Sequence, residues 1–341
     1  YRSVLADTVL PAARPDEEPG LSFIPGGSEH YAERVVAHTT LQRTPEDIHQ
    51  TGVDIVAQLD DEYRAIGKSA LGTDDLAEIY KRLREDASLR YGSGAAIVAD
   101  AERAVERATA AMGPAFSKRP QAPCVVAETD IGAAAFYQMP SPDGSRPGTF
   151  FINTADPEAW GTFEVEALTF HEAVPGHHFE RSLAQERQGV PELRHGAPIA
   201  AFSEGWALYT ERLADEMGLY SSDLDRLGML SNDSLRATRL VVDTGLHALG
   251  WSRQRAIDYM VDNSPMTPGR AADEVDRYIG LAGQALSYML GRLEIMALRQ
   301  RASEALGDRF DIKDFHEAVL RFGSMPLDTL GAVVDDLIST A

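Results

Sequence analysis

Apolar residues recur at helical spacing through TPEDIHQTGVDIVAQLDDEYRAIG at 44–67, with Thr44 as N-cap and Pro45 in the first turn. Thr73 is expected to cap a second helix over 73–89, and an alanine-rich helix follows over 93–112. Before these lies PAARPDEEPGLSFIPGG, a Pro/Gly-rich connector at 11–27 that predicts a loop laid over another element. The pattern changes between 121 and 155. There β-branched and aromatic residues in QAPCVVAETD, AAAFYQMP and GTFFINTAD alternate with turn signals such as PSPDGSRPG, which predicts a sheet of about three strands. From residue 157 onward the pattern is helical again, with long segments at 158–186, 198–217, 221–250 and 268–306. The fold class is therefore mainly α with one small β-sheet. Residues 1–120 form a helical scaffold region and 121–341 a catalytic region, expected to join in one continuous unit.

Length and composition fit a globular enzyme: 341 residues, 44% hydrophobic and 25% charged. No apolar run approaches the roughly 20 residues of a membrane-spanning helix. A net charge of −21 argues against nucleic acid or an anionic membrane as a general partner. Cys124 is the single cysteine, which excludes an intrachain disulfide and any multi-cysteine metal site. The chain opens at Tyr1 with neither an initiator methionine nor a signal-peptide pattern, so an N-terminal portion is expected to be missing. Compartment and oligomeric state are not legible, and cytoplasm is the default expectation.

The chemistry concentrates in HEAVPGHH at 171–178. His171 and Glu172 close the apolar segment EVEALTFHE, where a buried polar side chain needs a partner. In an unbroken helix His171 and His177 would lie about 9 Å apart along the axis and on different faces, at about 1.5 Å and 100° per residue. Pro175 and Gly176 supply a break that can return His177 to the face of His171. His178 competes for the role: seven positions restore the facing but leave about 10 Å of rise. A hydrolytic zinc takes three protein ligands and leaves a position for water. Glu204, set among Phe202, Trp206, Ala207 and Leu208, supplies the third, and Glu172 is then free to act as general base. The expected cofactor is one Zn2+ per chain.

These motifs resemble the family catalogued as domain of unknown function 885, whose members look like zinc metallopeptidases. The resemblance runs along nearly the whole chain: PGG and HY within 25–31, HTTLQRTPEDIHQTG at 38–52, SPDGSRPGTFFIN at 141–153 and HEAVPGHHFE at 171–180. It continues in EGWALY at 204–209, DTGLHALGW at 243–251, EVDRYIGLAGQALSYMLG at 274–291 and FHEAVLRFGSMPL at 315–327. It implies a helical zincin-like fold and a chain that forms the C-terminal catalytic portion of a longer protein. The cluster is also similar to H-E-x-G-H of the thimet-oligopeptidase and carboxypeptidase Taq families, with Gly176-His177 as the matching pair and two residues inserted.

Supporting roles follow. The resemblance implies Tyr288, and after it Tyr278, as donor to an oxyanion. Asp243 and His247, one turn apart, share a helix face and can orient a ligand or a substrate end, and His178 joins them as a residue near the site. Arg277 can bind a peptide carboxylate, and Asn153 can hold a peptide laid along an edge strand at GTFFINTAD. His30, His38, His49, His195 and His316 show no ligand spacing and are expected to be structural or on the surface. The expected function is hydrolysis of peptide bonds, with short peptides as the expected substrates; the alternatives are a non-peptide amidohydrolase and a non-catalytic, metal-stabilised binding protein.

Overall fold

The computed structural model describes residues 1–191, 193–196 and 199–340. Helix α1 spans Gly27–Thr39 and α2 spans Pro45–Ala70, where the Thr44 hydroxyl accepts the Asp47 amide as its cap pattern predicts. Helix α3, Leu76–Glu85, starts later than the sequence predicts. Asp75 caps it by accepting the Glu78 amide, and Thr73 instead accepts the amide of Asp75. A carboxylate at this end also meets the positive pole of the helix. Helix α4 covers Gly94–Ala111.

Strands β1 (Cys124–Thr129), β2 (Ala135–Gln138) and β3 (Gly148–Asn153) form one sheet in the order β1-β3-β2. β3 is parallel to β1 and antiparallel to β2. This corrects one expectation: GTFFINTAD is the central strand, paired on both sides, and the edges are β1 and β2, of which β2 lines the cleft.

The helices that follow are α5 (Glu164–Glu172), α6 (His177–Gln185), α7 (Ala200–Glu216), α8 (Asp223–His247), α9 (Arg253–Asp262), α10 (Pro268–Gly280), α11 (Ser287–Leu306), α12 (Ile312–Leu320) and α13 (Leu327–Thr340). Pro198, where the sequence pattern starts α7, lies outside the described residues. The predicted segments 158–186 and 268–306 are each two helices. The second breaks where Gly283 takes a φ of +83° against the backbone of Arg34, a conformation that favours glycine. The chain is thus mainly α with one small sheet, and none of its described helices is long and apolar enough to cross a membrane.

Helix α8 is the spine. Gly52 of α2 packs on Ala237, Leu240 and Val241, and the Tyr63 hydroxyl bonds Ser234, so the first 120 residues share a core with the remainder. The connector at 11–27 does lie over another element: Gly20 rests on the Leu246 carbonyl with no space for a Cβ, and the Leu21 amide donates to His247 Nδ1. Among the core side chains Phe116 and Trp206, His316 donates from Nδ1 to the Ala115 carbonyl at 2.8 Å and accepts the Tyr209 hydroxyl at Nε2 at 2.7 Å.

Burial pushes the His316 pKa down to about 4. The unfolded chain therefore takes up this proton first, and the associated stability, fully present above about pH 6.5, falls as pH drops toward 4 by about 1.4 kcal/mol per pH unit. Denaturant unfolding between pH 6.5 and 4.5 should show His316→Gln less pH-sensitive than the parent by about that slope.

Candidate metal centre

Helix α5 ends at Glu172, where the Ala173 amide closes on Thr169. The chain then crosses a cis Val174–Pro175 peptide and re-enters helix at His177. Gly176 makes the crossing possible through proximity, since a Cβ there would overlap the carbonyl oxygens of His171 and Phe170. Trp206 on α7 donates from Nε1 to the Pro175 carbonyl at 3.0 Å and holds the turn against the helix that carries Glu204. The break brings the His171 and His177 rings to a centroid separation of 5.0 Å, nearly perpendicular at 85°.

Glu204 Oε2 lies 3.7 Å from His171 Nε2 and 3.3 Å from His177 Nε2, and the three ligand atoms fall within 4.8 Å of one another. Tetrahedral zinc with bonds of about 2.0–2.2 Å separates its ligand atoms by about 3.4 Å. The donor set, two imidazoles and a carboxylate, fits such an ion in spacing and in kind. On its far side His171 donates from Nδ1 to Glu211 Oε1 at 2.8 Å, because a carboxylate only accepts; in the neutral ring this leaves the lone pair on Nε2, the nitrogen that a metal would take. Glu211 is itself fully buried and accepts the Asn232 amide at 3.0 Å. Burial alone would lower the His171 pKa, but hydrogen bonds to Glu204 and Glu211 overcome it and hold the ring at about 9. Burial likewise works against the Glu204 carboxylate, and the two histidines nonetheless keep its pKa well below the usual range.

The structure brings His177 to Glu204 and turns His178 away. His178 Nε2 donates to the Ala122 carbonyl at 3.1 Å and Nδ1 accepts the Tyr137 hydroxyl at 2.9 Å, while burial pushes its pKa down to about 4. Adjacent helix positions differ by about 100°, so only one of the pair can face α7. Glu172, Tyr288 and Arg277 line the same cleft of about 1180 Å³ as the three ligands, together with residues 133–138 on and before β2.

Other expected residues serve elsewhere. The Tyr278 hydroxyl is engaged by Glu274 and by Arg239 at 2.9 Å, and the side chain is wholly buried. Asp243 accepts the Tyr31 hydroxyl at 2.6 Å and the Gly283 amide at 3.1 Å. His247 joins Leu21 to the Tyr278 carbonyl. These two therefore tie the connector and the Gly283 loop to α8 rather than orienting a ligand. Asn153 caps the end of β3, accepting the Ala155 amide at 3.0 Å, and does not line the cleft.

A family model described as bacterial protein of unknown function, DUF885, matches residues 1–334. The chain belongs to this family. This DUF885 chain is similar over 98% of its length to the crystal structure of a "putative lipoprotein" from Colwellia psychrerythraea, with 35% identity and a TM-score of 0.93. A second structure, of a "putative lipoprotein of unknown function" from Shewanella oneidensis, is 20% identical over 97% of the chain with a TM-score of 0.81, and shows the fold alone. The chain spans 59% and 62% of those two proteins. No curated protein matches it.

Sequence reasoning missed Glu211 and Asn232. Glu211 follows Glu204 by seven positions, two turns on one face of α7, and that spacing was the available signal. Exchange of Glu211 for Gln preserves its shape and removes the charge behind His171. Zinc affinity, titrated against a competing chelator, should fall about 10- to 100-fold, and an unchanged affinity would reduce Glu211 to a packing residue.

Proposed function

We propose that this protein is a zinc-dependent hydrolase that cleaves peptide bonds. The observation that carries the reading is the convergence of His171, His177 and Glu204 in one cleft that Glu172, the residue after His171, also lines. Zinc held by the first three residues would supply Lewis-acid activation of water and of the scissile carbonyl.

The chain's own groups perform the remainder. The Glu172 carboxylate takes a proton from the attacking water and passes it to the leaving nitrogen. The Tyr288 hydroxyl, in the same cleft, donates to the developing oxyanion. Glu211 keeps the His171 proton on Nδ1 and its ring in place. β2 supports a peptide over other amides: its residues line the cleft, it pairs only with β3 among the described residues, and a free strand edge accepts an extended backbone.

Elemental analysis of purified, unchelated protein should give about one zinc per chain, retained in His178→Ala and lost in His171→Ala, His177→Ala and Glu204→Ala. Glu172→Gln should keep the zinc and lose turnover of a peptide library by about 10²- to 10⁴-fold. Undiminished turnover in that variant would overturn the mechanism.

A further inference from the structure

The chain carries a net charge of −21, yet seven arginines and only three glutamates line its cleft. Two of those glutamates, Glu172 and Glu204, belong to the centre already described. The third, Glu274, is shared. Arg239 reaches it through Nη2 at 2.9 Å, Arg277 through Nη2 at 3.1 Å, and the Tyr278 hydroxyl donates to the same oxygen.

Arg236 stands beside this group without a carboxylate of its own among the described residues. It is 6% exposed, its Nη1 reaches only the Asn232 carbonyl at 3.4 Å, and its Nε is buried with no partner. Arg239, also 6% exposed, leaves Nη1 buried and unpartnered. Both guanidiniums lie against the Tyr288 ring, at 5.8 and 4.6 Å from its centroid. Burial has already removed most of their hydration, a cost that an anion would offset. Their place in the cleft is defined as well. Asn232, one turn before Arg236 on α8, holds the Glu211 that holds His171.

We infer that Arg236, backed by Arg239 and seated on Tyr288, binds a carboxylate of the substrate, so that the cleft selects peptides bearing an anionic group near the cleaved bond. That the anion belongs to a peptide rests on the proposed peptidase activity; the anion site itself rests on the arginines. A carboxylate can come from the peptide's C-terminus or from an acidic side chain, and both present the paired oxygens that a guanidinium recognises.

Three acylated tripeptides separate the sources: neutral side chains with a free C-terminus, the same with a C-terminal amide, and the amide with one Glu side chain. Calorimetric titration into the zinc-loaded Glu172→Gln protein should show one or both carboxylates binding about 10- to 100-fold tighter than the neutral amide. Arg236→Met in that background should abolish the preference and leave the neutral amide unchanged, and Arg236→Lys should restore part of it. Arg236→Met should also unfold at a higher temperature than the parent in the absence of ligand, whereas a purely structural Arg236 would make the variant less stable. Glutarate provides an arm free of peptide chemistry: it should raise the melting temperature of the parent and not of Arg236→Met. Equal binding of all three peptides with no glutarate effect, or a preference that survives Arg236→Met, would overturn the site. Zinc content and turnover of the parent judge the peptidase reading separately. A metal-free protein with an Arg236-dependent glutarate shift would sink that reading and leave the anion site standing.

Discussion

Gly176 lies against the carbonyl oxygens of Phe170 and His171, and the rest of the centre depends on that contact. Without it α5 would run on, and His177 would point to a face about 9 Å further along the axis. With it, α6 starts afresh and its first residue faces the last turn of α5 and the flank of α7. Trp206 fixes the arrangement by donating to Pro175 from the same helix that presents Glu204. A turn and a ligand are thus held by one helix, so their relative positions are rigid to the extent that α7 is buried.

Burying this much polarity is costly unless each group is satisfied, and the satisfaction proceeds in layers. Glu204 meets two imidazoles, His171 meets Glu211, and Glu211 meets Asn232 of α8. Helix α8 has further duties along its length: Asp233 pairs with Arg212 and Arg292, Asp243 latches Tyr31 and Gly283, and His247 takes the connector. One buried helix therefore links the surroundings of the His-His-Glu cluster to the N-terminal helices. That is the physical reason residues 1–120 cannot be read as separate from the cleft.

Charge is distributed against the average. The acidic surplus lies outside the cleft, while arginines from β2's neighbourhood, α6, α8 and α10 converge inside it. Arg236 and Arg239 occupy LRATRL, a stretch whose apolar spacing marks a buried helix; guanidiniums there signal either ion pairs or a ligand. Only Arg239 finds a carboxylate among the described residues.

The helical periodicity, the Thr44 cap and the strand-like stretch from 121 to 155 were legible because each depends on contacts within a few residues. The convergence of His171, His177 and Glu204 was legible too, since both histidines lie within one turn-breaking motif and Glu204 is an unexplained carboxylate in an apolar helix. Tertiary structure alone decided what depends on long-range placement: which strand is central, which neighbouring histidine faces α7, and where Tyr278, Asp243 and His247 spend their hydrogen bonds. Asp243 and His247 share a face by spacing, yet that face meets Tyr31 and Leu21, more than 200 positions away. Local pattern specifies that a buried polar group must have a partner; only the packing of distant elements specifies which partner it has.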